Sequence, residues 1–97
     1  MLTSKQRANL RSLAQKIEPI AQFGKQGLSE SFVDGLALAI EKRELIKVTV
    51  LENSGYEVKD AGNEIAAALS AEFVCATGRK LVFYKRSYRK DVEHIEF

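Results

Sequence analysis

The chain has 97 residues, of which 45% are hydrophobic and 29% are charged. This length excludes a second independently folding unit, since domains typically span about 50 to 250 residues. The composition is close to that of globular proteins and unlike that of disordered chains. We therefore expect residues 1–97 to form one domain.

The charge of the chain is segregated along the sequence. Fifteen Lys and Arg oppose thirteen Asp and Glu, so the net charge of +2 is too small to imply a nucleic-acid partner by itself. However, residues 1–27 carry a net charge of +4 and residues 79–90 carry +6, whereas residues 28–78 carry −5 and residues 91–97 carry −3. The two basic segments form one basic surface if the fold brings them together.

Cysteine content and hydrophobic patterning indicate a cytoplasmic location. The single cysteine, Cys75, excludes an intramolecular disulfide, which is typical of a reducing compartment. No apolar run approaches the roughly 18 residues that span a bilayer. The basic N-terminal segment has no apolar core of a secretory signal. We expect no membrane association.

The first predicted element is a helix over residues 4–16. Thr3 and Gln6 have the spacing of a capping box at its start. Apolar residues then recur with helical period at Leu10, Leu13, Ala14 and Ile17. Pro19 cannot continue a helix.

A strand and a second helix follow on either side of a glycine loop. Residues 20–23 are apolar and favour a short buried strand, which Gly24-Lys25-Gln26-Gly27 ends. Ser29 is a good N-cap for a helix over residues 30–43.

The clearest strand is predicted over residues 45–51, where β-branched residues alternate with polar ones. Ser54 and Glu57 again have capping-box spacing, ahead of a helix over residues 56–71.

Two short apolar runs, residues 73–77 and 81–84, flank Gly78-Arg79-Lys80 and predict a hairpin. A polar tail without clear period begins at about residue 86. The order is α-β-α-β-α-β-β. Two strand–helix–strand crossovers predict parallel pairing, and the hairpin adds an antiparallel pair. We expect an α/β fold in which helices pack on a small mixed four-stranded sheet.

The Gly24–Gly27 loop is the first candidate site. Glycine permits positive φ and close backbone approach, and the following helix presents free N–H groups with a partial positive charge. With Lys25 at its tip, the loop is suited to a nucleic-acid phosphate. On spacing alone, a plain strand-to-helix turn explains the same residues.

A second candidate is the basic segment 79–90, which begins in the turn of the hairpin, together with the basic residues of the first helix. Cations that alternate with aromatic residues suit RNA, but a solvated basic surface explains them equally well. The candidate residues are Arg79, Lys80, Lys85, Arg86, Lys5, Arg7 and Arg11.

Catalysis and metal binding have little support. His94, the single histidine, stands near the C-terminus among acids and is predicted to be exposed. Cys75 fits a small core residue of a strand better than a nucleophile. Glu41 and Glu44 fall at a charged helix end and are predicted to be solvated. One Cys and one distant His do not provide metal-ligand spacing, so we expect no cofactor and no enzymatic activity.

The residues also resemble the CRM domain (chloroplast RNA splicing and ribosome maturation) in its single-domain bacterial YhbY-like form. The resemblance covers residues 2 to about 86. It is carried by Leu2-Thr3-Ser4-Lys5-Gln6-Arg7, Leu13-Ala14, Pro19, Gly24-Lys25-Gln26-Gly27-Leu28, Glu44-Leu45-Ile46-Lys47-Val48, Gly78-Arg79 and Leu81-Val82-Phe83-Tyr84-Lys85.

The resemblance implies the same fold order, similar to the C-terminal domain of translation initiation factor three. It also implies RNA binding through Gly24, Lys25, Gln26 and Gly27, with Arg79 and Lys85 at basic strand positions. Bacterial members look like factors of the large (50S) ribosomal subunit precursor, so we expect contact with ribosomal RNA. We also expect a monomer. A protein-docking adaptor on a ribosomal protein is the alternative.

Overall fold

The computed structural model describes residues 2–97, so residue 1 of the predicted domain lies outside the described residues. Helices and strands follow one another in the predicted order. They are α1 (Ser4–Ala14), β1 (Ala21–Phe23), α2 (Glu30–Arg43), β2 (Leu45–Val50), α3 (Val58–Leu69), β3 (Glu72–Thr77) and β4 (Lys80–Tyr84). The strands form a mixed four-stranded sheet, which confirms the predicted fold class.

Local hydrogen bonds fix the starts of α1 and α2. The Thr3 hydroxyl accepts from the Gln6 N–H at 3.1 Å, and the Gln6 side chain accepts from the Thr3 N–H at 3.0 Å. This is the predicted capping box. Ser29 caps α2 through its side chain, also as predicted.

The capping box predicted for α3 is wrong. The helix begins after Glu57, which makes no side-chain capping hydrogen bond. Ser54 instead ends a short 3-10 turn, Glu52–Ser54, and its hydroxyl accepts from the Tyr56 N–H at 3.2 Å. Because the Ser54 hydroxyl binds within this turn, it does not cap α3.

The sheet order is β1-β2-β4-β3, with β1 parallel to β2 and the other neighbours antiparallel. The predicted parallel pairing is therefore correct for β1 and β2 but wrong for β2 and β3, because β4 lies between them. Burial explains the insertion. Leu81, Val82 and Phe83 of β4 are all at most 3% exposed, which favours a central strand, whereas Thr77 of β3 is exposed and suits an edge.

The helices cover both faces of the sheet. Ile46, Val48 and Val50 of β2 pack in the larger cluster with α2 and α3, and Leu45 packs with α1 on the other face. We call that second face the α1 face. By the alternation of a strand, Lys47 and Thr49 also lie on the α1 face.

The C-terminal segment folds back onto the end of α2. Glu44 is fully buried, and its carboxylate accepts from the N–H groups of Ser87 and Ile95 at 2.7 and 2.8 Å. His94 is half-buried beside it. The predictions of a solvated Glu44 and an exposed His94 are thus wrong, because the returning segment supplies partners that are 43 and 51 residues away.

Candidate nucleic-acid interface

The Gly24–Gly27 loop is a tight turn that leaves β1. The Gly27 N–H donates to the Gly24 carbonyl at 3.0 Å, and Gly27 has a φ of +61°. Lys25 and Gln26 are both exposed at the tip. The turn therefore presents two polar side chains to solvent at the end of β1. This is an edge strand in which Phe23 is buried but Gln22 is exposed, so the predicted buried strand is only partly correct.

Packing beneath the loop requires glycine at position 27 and leaves little room for a side chain at position 24. A Cβ on Gly27 would lie 2.8 Å from the Tyr56 hydroxyl oxygen, and a Cβ on Gly24 would lie 3.3 Å from a Leu51 methyl carbon. Tyr56 is itself held edge-on against Phe23 of β1, with ring centroids 4.7 Å apart. A larger residue at Gly27 would meet both a strained φ and a packed ring.

The loop and the first turn of α2 border a groove of about 410 Å³. Its lining includes Ser29 and Ser31 together with the loop residues. The helix start adds a partial positive charge, which the exposed Glu30 carboxylate opposes. The full charge of Lys25 is therefore the main attraction for an anion here.

Arg79 lies in the β3–β4 turn, at the same end of the sheet as the glycine loop. We call this end of the sheet the loop edge. Its guanidinium donates to the carbonyls of Val50 and Leu51, each at 2.8 Å. The Leu51 N–H in turn donates to the carbonyl of Phe23, the residue before the loop. Arg79 thus caps the end of β2, and two of its donors are already used by the protein.

The other predicted basic residues divide between two ends of the sheet. Lys80 begins β4 at the loop edge and is exposed. Lys85 and Arg86 follow β4 at the opposite edge, and the Lys85 ammonium donates to the Leu69 carbonyl at 3.1 Å. The structure therefore does not gather the basic segment 79–90 into one patch.

Two basic residues of α1, Arg7 and Arg11, lie one helical turn apart and line a common groove beside Cys75. Arg7 donates to the carbonyls of Phe73 and Val74 at the start of β3, and exposed Lys5 lies on the same end of the helix. Arg11 lies farther along, in a groove of about 240 Å³ between α1 and the sheet, where Lys80 also lies.

The same groove contains Lys47, which the sequence interpretation did not select. A signal was present: Lys47 alternates with the buried Ile46 and Val48 and so must lie on the other face of β2. What the pattern of one strand cannot show is that Arg11 and Lys80 come to the same place.

The structure also shows the surroundings of Cys75 and of the other side chains that were considered for catalysis or metal binding. Burial raises the pKa of the half-buried Cys75 thiol, and the charges of Arg11 and Lys47 act in the opposite direction. Among residues 2–97, no group of three His, Cys, Asp or Glu side chains has the geometry of a metal site. Within the same residues, no helix has the length and apolar character that crossing a bilayer requires.

Comparison with known proteins identifies the family. The model of the CRS1 / YhbY (CRM) domain matches residues 2–85. The chain belongs to this family. The CRM match includes the glycine loop and every strand, and it ends before the segment that encloses Glu44.

Relatives of this CRM chain span nearly its whole length. The probable RNA-binding protein YqeI of Bacillus subtilis (strain 168) is 38% identical over 99% of this chain and 98% of its own. A Haemophilus influenzae protein named RNA-binding protein is 29% identical over 95% of this chain and 93% of its own.

A solved CRM-like structure has the same fold. The solution structure of the hypothetical protein SAV1595 from Staphylococcus aureus matches with a TM-score of 0.78 and 40% identity. The match covers 96% of this chain and 98% of that one. The names of the relatives refer to RNA binding and not to an enzymatic activity.

Proposed function

We propose that this chain binds RNA, and that it acts on ribosomal RNA as an assembly or maturation factor of the large (50S) subunit. The observation that carries the proposal is the exposed loop with Lys25 at its tip, in a chain of the CRM family. The naming of two relatives as RNA-binding proteins supports it. The ribosomal part rests on what the family resemblance implies.

In this proposal the loop binds the RNA backbone. Lys25 and the N–H groups after Gly27 contact phosphates, while Gly24 and Gly27 permit close approach. Phosphate contacts position a nucleic acid without specifying its bases, so we expect little sequence preference from this loop. The proposed contacts on the loop side are Gly24, Lys25, Gln26, Gly27, Arg11, Arg79 and Lys80, and RNA that wraps the domain would add Lys5, Arg7, Lys85 and Arg86.

Salt dependence tests RNA binding at the loop. Lys25→Ala should weaken every RNA by a similar factor and reduce the slope of log affinity against log salt by about 0.7, the single-strand value for one phosphate. Lys42→Ala is the matched control, because Lys42 is an exposed lysine in the last turn of α2, far from the loop. If both variants match the wild type in affinity and slope, the loop is only a turn.

Crosslinking in cells tests the choice of RNA. We expect crosslinked ribosomal RNA of the large subunit and sedimentation of the protein with 50S precursors. Crosslinks to messenger or transfer RNA alone would contradict the ribosomal assignment while leaving RNA binding intact.

A protein-docking adaptor is the second candidate, because Leu38 on α2 is 66% exposed. Docking through an apolar surface would change little with salt, whereas RNA binding weakens steeply. Leu38→Ser should abolish docking and leave RNA affinity unchanged. In either case we propose a cytoplasmic monomer without cofactor or catalytic activity.

A further inference from the structure

Part of the α1 face is not covered by α1. Near the loop edge, the four strands present one row of polar side chains that are paired in the strand register. This polar row consists of Gln22, Thr49, Lys80 and Thr77. All except the half-buried Thr49 are exposed. The row crosses three inter-strand gaps, which together span about 14 Å.

The groove beside this row collects positive charge from three elements. Arg11 comes from α1, Lys47 from β2 and Lys80 from β4, and we call their surroundings the cation groove. Among the residues that the structure describes, none with a carboxylate side chain lines it. Within residues 2–97, neither a hydrogen bond nor an ion pair engages the charged groups of these three side chains. The cations repel one another, so an anion between them would be favourable.

The lining of the cation groove favours a phosphate group over a base. The remaining side chains are small, polar or aliphatic, and none is aromatic. Bases are usually held by stacking on aromatic rings, whereas phosphates are held by cations, amides and hydroxyls. Thr77 and Gln15 supply a hydroxyl and an amide at the border of the groove.

The polar row connects the cation groove with the glycine loop. Gln22 is the first member of the row and also lines the groove of the loop, two residues before Gly24. Lys80 is a member of the row and also lines the cation groove. The polar row therefore runs across the α1 face from Gln22, which borders the groove of the loop, to Lys80 and Thr77, which line the cation groove.

We propose that an RNA strand held at the loop crosses the polar row and binds a further phosphate in the cation groove. This inference rests on the proposed RNA binding and adds to it a direction for the strand and a contact, Lys47. The row and the groove hold a segment of a few nucleotides by its backbone.

Affinity for oligouridylates of graded length tests the contact. Lys47→Gln should weaken binding of the longer oligomers about two- to fivefold, as for the loss of an exposed ion pair, and reduce the salt slope by about 0.7. A dinucleotide has one internucleotide phosphate and cannot occupy the loop and the cation groove together, so its affinity should change less than that of the longer oligomers. Lys47→Arg should restore binding, and Lys42→Ala is the charge-matched control. Circular dichroism verifies that each variant is folded.

Alkylation of Cys75 gives a second measurement that does not depend on substituting a lysine. The thiol lines the cation groove and is the single cysteine of the chain. A long oligouridylate should slow its reaction with iodoacetamide, measured at mildly alkaline pH, more than the dinucleotide does. The same protection should require more RNA in Lys25→Ala, because the loop holds the other end of the strand.

The outcomes separate this inference from the function on which it rests. If the wild type binds RNA and Lys25 matters, but Lys47→Gln binds normally and Cys75 is not protected, the strand follows another path and the inference is overturned. If the wild type binds no RNA, the proposed function fails and this inference fails with it. Length-dependent loss in Lys47→Gln together with protection of Cys75 supports it.

Discussion

The Nδ1 atom of His94 lies 2.6 Å from the Oε2 atom of Glu44, although the two residues are 50 positions apart. The Glu44 side chain is fully buried, and that of His94 is 37% exposed. Glu44 also has a φ of 63°, which ends α2 and turns the chain into β2. Glu44 therefore lies between the end of α2 and the start of β2, and its carboxylate binds the C-terminal segment.

Removing the negative charge of Glu44 should destabilise the fold. In Glu44→Gln one oxygen becomes an NH₂ donor, so at least one of the three donors around it loses its acceptor. We expect a loss of about 1–3 kcal/mol in the free energy of unfolding. Urea denaturation measures it, with Glu64→Gln on the exposed surface of α3 as a control that should stay within about 0.5 kcal/mol. Equal stability of the two variants would contradict the role of Glu44.

The contribution of Glu44 should disappear in acid. Burial raises the pKa of Glu44, but hydrogen bonds from Ser87, His94 and Ile95 lower it more, so the pKa lies below its ordinary value. The folded protein thus holds this proton less tightly than the unfolded chain. The stabilisation is present above the ordinary glutamate pKa of about 4.3 and is lost as pH falls through the lower folded value. The stability difference between wild type and Glu44→Gln should shrink as the pH falls over that range. A difference that grows as the pH falls would contradict a lowered pKa of Glu44.

Two helix glycines should respond oppositely to alanine. A Cβ on Gly62 would lie 2.9 Å from Cε1 of Phe73 and closer still to Cζ, whereas one on Gly35 would meet nothing within 4 Å. Phe73 packs against Phe83, with ring centroids 5.7 Å apart, and cannot move freely. We expect Gly62→Ala to cost about 1–3 kcal/mol and Gly35→Ala to stabilise by about 0.5–1 kcal/mol. Thermal unfolding distinguishes them, and a stabilised Gly62→Ala would mean that α3 lies farther from the sheet.

Substitution of Arg79 should lower the stability of the fold, whereas substitution of Lys80 should lower the affinity for RNA. Arg79→Ala removes the donors to Val50 and Leu51, so we expect a loss of about 1–3 kcal/mol in the free energy of unfolding. Lys80→Ala removes an exposed cation and should change stability by less than about 0.5 kcal/mol while weakening RNA binding. Measuring unfolding and RNA affinity for both variants tests this division, which fails if Lys80→Ala is the less stable of the two.

Local patterns in the sequence predicted the helices and strands because their causes are local. The spacing of Thr3 and Gln6 predicts a capping box, and the box forms from neighbouring atoms. Alternation along β2 similarly predicts which side chains share a face. The pattern failed where one side chain had two uses, as for Ser54, which bonds within its own turn rather than capping α3.

The sequence by itself determined the order of elements, the faces of the helices and the exposed loop, since each depends on residues a few positions apart. Only the tertiary structure decided that β4 lies between β2 and β3, because that choice depends on how much apolar surface each strand buries against distant helices. The burial of Glu44 also depends on distant residues. No local pattern shows that a charged helix end will be enclosed by a segment 43 to 51 residues later. The cation groove likewise exists because strand register and helix packing bring Arg11, Lys47 and Lys80 together from three separate elements.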